Sequence, residues 1–210
     1  MPCAEGMCSS PTVRSSLEDP ALRNGMSIYL FRECQTEIRD AASELGSLQC
    51  ILNYKVLCGA DAVEVEITSE SDLFFNYIHR VTKDDYRGIS ERQRLTASFE
   101  LYHVTISKMI VSCIESQTFQ ALLFLKGTEG TLQFVQVICS TCKHKAAQNA
   151  EYKFIELLEC SLQRANEFRV VDNITYRYNF LKDRLNHFGK HLEVRPSTRQ
   201  PNVCRKSTPF

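Results

Sequence analysis

Residues 68–82 read TSESDLFFNYIHRVT. Phe74 and Phe75 stand side by side, followed by Tyr77 and Ile78. Successive side chains of a strand point to opposite faces, so adjacent aromatics predict a strand over 73–81 that is covered on both sides. The segments before it alternate instead. In 62–68, Val63, Val65 and Ile67 oppose Glu64 and Glu66. In 48–58, Cys50, Leu52, Tyr54, Val56 and Cys58 oppose Gln49, Asn53 and Lys55. Both are half-buried strands by this pattern. A further strand is expected over 27–38, with a turn over 39–47 at Gly46.

After residue 82 the periodicity changes. Thr82, Asp84 and Asp85 have capping-box spacing, with Asp85 where Glu or Gln is usual. Tyr86, Ile89 and Gln93 then share one face of a short helix. Leu95, Ala97, Phe99 and Leu101 return to period two and predict a strand. Ile106, Met109, Ile110 and Cys113 predict an amphipathic helix over 103–116. Strands over 119–126 and 131–140 flank a turn at 127–130.

Beyond Thr141 the spacing is that of a coiled coil. Ile155, Leu158, Leu162 and Ala165 form one run, and Val171, Ile174, Tyr178, Leu181, Leu185, Phe188 and Leu192 a second. They join through Phe168 with a stammer. The self-association seam read from this is Ile155, Leu158, Leu162, Val171, Ile174, Tyr178 and Leu181. A hairpin over 168–180, turning at Asp172 and Asn173, is the competing reading. The expected organisation is a disordered segment 1–26 with Met26 as an alternative start, a β-rich head 27–145, a helical dimerisation stalk 146–193, and a basic disordered tail 194–210. The fold class is α+β: a small sandwich or barrel-like head with short helices, then a long C-terminal helix as coiled-coil stalk.

Composition narrows the chemistry. Lys+Arg and Asp+Glu are both 25, giving zero formal net charge and no global attraction to nucleic acid or an acidic membrane. No apolar run reaches the roughly 18 residues of a membrane span. The 10 cysteines are scattered, several within apolar segments, and read as reduced small hydrophobes. Cys139, Cys142 and His144 form the one metal-like cluster. Cys160 lies 18 residues beyond Cys142, and His187 and His191 more than 40 residues from the pair, so four converging ligands are not indicated. No phosphate-cradling glycine motif is present, and Asp84 and Asp85 fit the first turn of a helix. The expectation is a scaffold without catalytic residues, metal or cofactor. A cysteine-nucleophile enzyme is the remote alternative.

Residues 64–113 resemble the core motif of the spindle assembly abnormal protein 6 family, which builds the centriolar cartwheel. The motif is carried by Thr68, Asp72, Phe74, Phe75 and Tyr77, then Thr82, Asp84, Asp85 and Tyr86, then Leu95, Phe99 and Tyr102. The resemblance implies a β-sandwich or barrel-like head, short helices over one opening, and a dimerising stalk, with Phe74 and Phe75 on a central strand. It also implies a structural component of a centriole, basal body or other microtubule-based apparatus. Its partners would be a second copy of itself, higher oligomers, and other centriolar or basal-body proteins. A DNA end-joining scaffold of the same superfamily is the alternative, although four positive charges in the tail offer nucleic acid only a modest, salt-sensitive attraction. Two departures stand out. His103 replaces the family's proline, and the loop of the last hairpin, where the family docks heads through a phenylalanine, offers Gly130 or Ser140 and no aromatic. With residues 150–192 giving only roughly 65 Å of helix, the likeness is closest to the short paralogues that lack the long rod.

Overall fold

The computed structural model describes residues 18–23, 25–41, 46–140 and 151–193. Seven strands close into a barrel in the order β1-β2-β3-β4-β7-β6-β5. β1 (Ser27–Asp40), β2 (Ser47–Cys58), β3 (Ala62–Ser69) and β4 (Asn76–Thr82) form an antiparallel meander. β5 (Phe119–Lys126), β6 (Glu129–Ser140) and β7 (Glu151–Arg164) form a second one. A parallel pairing of β1 with β5 closes one seam. The other is short: Tyr77 and Ile78 of β4 meet Arg164 and Gln163 of β7, with Ala165 N–H donating to Asn76 O at 2.9 Å.

The alternation read from the sequence sets which side faces in. Leu52, Tyr54 and Val56 of β2, Val63, Val65 and Ile67 of β3, and Leu158, Cys160 and Leu162 of β7 all join one core. Two helices complete it, α1 (Lys83–Gln93) through Tyr86 and Ile89, and α2 (Tyr102–Glu115) through Tyr102, Ile106 and Ile110. α1 begins with the expected capping box, Thr82 accepting from Asp85 N–H while the Asp85 carboxylate accepts from Thr82 N–H. Several of the core's buried polar groups are paired through short links. Tyr54 and Thr36 hydroxyls lie 2.7 Å apart. The ring of His79 lies 2.7 Å from Ser161 O through Nδ1 and 3.0 Å from the Tyr102 hydroxyl through Nε2. A carbonyl can only accept, so Nδ1 carries the proton and Tyr102 donates to Nε2. Burial lowers the His79 pKa, against a smaller raising effect of the bond to Ser161.

Four expectations are corrected. Phe74 and Phe75 precede β4 instead of lying on a central strand. Asp72 closes a turn there, its carboxylate accepting from Phe74 N–H at 2.9 Å and its carbonyl from Phe75 N–H at 3.1 Å. Phe74 is 63% exposed, whereas Phe75 packs against the core and the Tyr77 ring. Residues 95–101 are no strand: a 3-10 turn, Phe99–Leu101, leads directly into α2. Leu95, Phe99 and Tyr102 reach the core at steps of four and three, a helical spacing that the period-two match concealed. Residues 151–164 form β7, not the first half of a stalk, and the barrel therefore continues well past residue 145. Leu158 and Leu162 are core residues of that strand, and Ile155 lies towards its far end, so none of the three belongs to a helical seam. Finally, the segment 1–26, expected to be disordered, is ordered in part: Asp19 caps a 3-10 turn at Pro20–Leu22. Over 168–180 the helical reading holds and the competing hairpin does not, because α3 (Glu167–Glu193) runs through these residues unbroken.

Candidate self-association surface and its anchorage

α3 follows β7 after only Ala165 and Asn166. Asn166 caps it, the side-chain oxygen accepting from Arg169 N–H at 2.9 Å. At 27 residues the helix is about 40 Å long. Its first turns lie against the outer face of β3, where the alternation places Glu64 and Glu66. Both carboxylates are only 2% exposed. A buried charge is sustained only by close opposite charges and hydrogen bonds, and the wall supplies them. Arg169 reaches both, pairing with Glu64 and donating through Nε to Glu66 at 3.3 Å. Lys55 of β2 donates to Glu66 at 3.1 Å, Asn76 to Glu66 at 3.3 Å, and Arg80 to Glu64 at 3.1 Å.

An N-terminal strap adds to this cluster. Asp19 precedes a 3-10 turn at Pro20–Leu22 and accepts from Lys55 at 2.8 Å, while Arg23 pairs with Asp172 on α3. Burial alone would lower the pKa of Lys55, but Glu66 and Asp19 outweigh it and hold the ammonium above its usual range. Arg169 is held up in the same sense against its own burial by Glu66 and Glu64. Two turns on, Arg177 donates to Ser69 O at 3.1 and 3.2 Å and pairs with Glu70 at 2.7 Å. Helix and wall also border a cleft of about 500 Å³ whose lining includes Phe31, Tyr176, Phe180 and Arg184.

The helix thus presents two faces. Val170 and Asn173 are buried against the head, and Arg177 is tied to it. About a quarter turn around, at 3.6 residues per turn, run Val171, Ile174, Tyr178, Leu181, Leu185 and Phe188. Ile174 is half-buried, and the other five are exposed, Tyr178 by 64% and Leu185 by 70%. These six residues form one stripe in heptad spacing, and among the described residues the head covers only Ile174 of it in part.

The remaining motif residues are structural. Thr68 is buried on β3, and Tyr77 donates its hydroxyl to Gly127 O at 3.1 Å. Asp85 completes the α1 cap, and Tyr86 donates to Ala97 O at 2.7 Å. Tyr86 also packs its ring against those of Phe99 and Tyr102. Of the metal-like group, Cys142 and His144 lie outside the described residues, as do the side chains of Cys139 and His191. Cys160 is a buried free thiol, its pKa pushed up to about 12 by burial. Among the described residues, no group of three or more His, Cys, Asp or Glu could hold a metal ion, and no helix is long and apolar enough to cross a membrane.

Sequence reading missed the buried ion cluster. Its signal is present in the sequence: alternation assigns Glu64 and Glu66 to the polar face of β3, and Lys55 sits on the same face of the neighbouring strand. What alternation could not reveal is that α3 and the strap cover that face.

A closed barrel sealed by two helices, with a third helix clamped to its wall and an apolar stripe left open along it, defines a head-and-stalk protein. The sequence profile described as the centriolar protein SAS N-terminal domain matches residues 28–162, more than half of the chain, and the chain belongs to that family. The matched region ends within β7, at Leu162. Solved structures agree in fold. A Leishmania SAS-6 N-terminal fragment containing part of its coiled coil has a TM-score of 0.64 at 15% identity, covering 80% of this chain and 96% of that one. The N-terminal coiled-coil dimer of C. elegans SAS-6 gives 0.59 at 10% identity, covering 81% and 99%. An N-terminal fragment of Drosophila melanogaster Sas-6, dimerised via its coiled-coil domain, gives 0.60 at 15% identity, covering 84% and 81%. No curated protein matches the sequence significantly.

Proposed function

We propose that this chain is a structural scaffold subunit of a centriole, basal body or related microtubule-based apparatus, and that it self-associates through α3. One observation carries the reading: the heptad stripe Val171, Ile174, Tyr178, Leu181, Leu185 and Phe188 lies on a face that the described residues of the head leave largely open. A contiguous apolar stripe on a helix in water calls for a cover, and a second copy of the same stripe supplies one of matching shape and period. Family membership supports this occupant, since the C. elegans and Drosophila relatives are coiled-coil dimers.

The short-paralogue subtype is part of the proposal. Residues 141–150, TCKHKAAQNA, which join β6 to β7, contain no aromatic side chain to insert into a neighbouring head. Assembly here runs through the stalk, without rings built on an inserted phenylalanine, and no step calls for catalysis or a cofactor.

Sedimentation equilibrium tests the core claim. Wild type is expected to dimerise weakly, at about micromolar Kd, near −8 kcal/mol. The double variant Leu181→Glu/Leu185→Glu should be monomeric with an unchanged head. A wild-type monomer at high concentration would refute the reading. Tagged protein should concentrate in basal-body puncta, whereas nuclear foci would favour the DNA end-joining alternative.

A further inference from the structure

We propose that the strap at residues 18–23 and Arg169 together form a latch that fixes the direction in which α3 leaves the barrel. The proposal rests on reading α3 as a stalk and adds what holds that stalk at one angle. The covalent link between β7 and α3 is only two residues, Ala165 and Asn166, and a link that short leaves the helix free to swing unless other contacts hold it. Beside the burial of Val170 and Asn173, those contacts are polar and are made by Arg169, Arg177 and the strap. Arg169 binds the wall through Glu64 and Glu66. Arg177 holds Ser69 O and Glu70 about two turns later. The strap grips both partners at once, the wall through Asp19 and Lys55, the helix through Arg23 and Asp172.

Glu66 couples strap to helix. One of its oxygens accepts from Lys55, and the other from Arg169 and Asn76. Asp19 gives Lys55 a second counter-charge. Asp19, Glu64 and Glu66 balance Lys55, Arg80 and Arg169 in this cluster, so neutralising Asp19 leaves an excess cation in a buried site. Lys55 then draws on Glu66 alone, in competition with Arg169. The helix loses grip although no residue of its own has changed. Separately, losing Arg23 removes the bond that ties the strap to α3 directly.

Amide hydrogen exchange on the full chain tests the latch, with Asp19→Asn, Arg23→Gln and Arg169→Gln compared against Arg87→Gln, a control in an exposed pair on α1. The expected result is about tenfold faster exchange across residues 168–177 in the three latch variants. Exchange in β2, β3 and β6 should stay at wild-type rates, and the control should be silent. Small-angle scattering should then report a broader distribution of chain dimensions. Asp19→Asn and Arg23→Gln keep the test decisive if Arg169→Gln fails to fold. Wild-type exchange in α3 for both strap variants would overturn the latch. So would barrel amides accelerating in step with α3, because the cluster would then hold the head together instead of aiming the stalk. Faster α3 exchange in the variants, together with a wild type that stays monomeric, would sink the stalk reading and leave the latch standing.

Discussion

His79 illustrates how a single core residue makes the head sensitive to pH. Its ring is buried, Nδ1 donates to Ser161 O, and Nε2 accepts from Tyr102. In the unfolded chain a histidine titrates near 6.5. In the folded barrel burial favours the neutral ring and lowers the pKa. Below about pH 6.5 the unfolded state therefore takes up a proton that the native state refuses. This contribution to stability is complete above that pH and is lost as pH falls towards the folded pKa, at a limiting slope of about 1.4 kcal/mol per pH unit. His103, lowered by partial burial, adds in the same direction. The urea midpoint of wild type should drop more between about pH 7.5 and 5.5 than that of His79→Gln. Equal drops would show that the ring titrates normally in the native state. Little of this was legible in advance, because a histidine on an apolar strand face looks the same whether it meets Tyr102 or water. Phe74 and Phe75 mark the same limit. Their adjacency announced two-sided burial, but Asp72 captures the backbone in a turn that keeps Phe75 inside and leaves Phe74 in solvent.

The elements were legible where one period dominated. β1, β2, β3, α1, α2 and β5 lie close to where alternation or helical spacing put them, since each has one core face and one other. β7 failed for a definable reason. Leu158 and Leu162 fit a step of four on a helix and equally a step of two on a strand, with Cys160 between them as the third inward residue. Cys160 is a small hydrophobe of the core, and its place between the two leucines is what marks the strand. α3 gives an element-scale prediction. With Val171, Tyr178 and Leu185 at one core position and Ile174, Leu181 and Phe188 at the other, the flanking positions include Thr175, Arg177, Lys182, Arg184 and Gly189. They contain cations and no acid, and Glu70 offsets only Arg177. In a parallel dimer these charges oppose their own kind, whereas most coiled coils place opposite charges there. Salt screens such repulsion and strengthens apolar contact. The dimer should therefore tighten by roughly threefold or more between about 0.05 and 0.5 M salt. Weakening with salt would mean that attractive ion pairs hold the two copies, and the seam would need another register.

At the scale of the whole molecule, the head's boundary is a question of sheet closure. Reading a stalk from residue 146 onward places the head at 27–145, and such a piece would lack β7. Without it, β6 loses its partner from Glu129 to Ser140, and β4 loses its contact at Tyr77 and Ile78. The core loses Leu158, Cys160 and Leu162, three residues no more than 1% exposed. Burying a leucine side chain contributes on the order of 2–3 kcal/mol, which for two leucines already approaches the net stability of a small domain. A piece that closes the barrel at Arg164 would still lack Arg169, which pairs with both Glu64 and Glu66 on the wall. Two truncations separate these effects. Residues 18–145 should be unfolded by circular dichroism, whereas residues 18–180 should melt cooperatively, having recovered β7, Arg169, Asp172 and Arg177. The longer piece should also remain monomeric, since it ends before Leu181, Leu185 and Phe188 and retains only half of the stripe. A cooperative transition in 18–145 would mean that a six-stranded sheet is stable open, and the closed barrel would not be what holds this head together. A dimer of 18–180 would place self-association in the head, against the proposed role of the stalk.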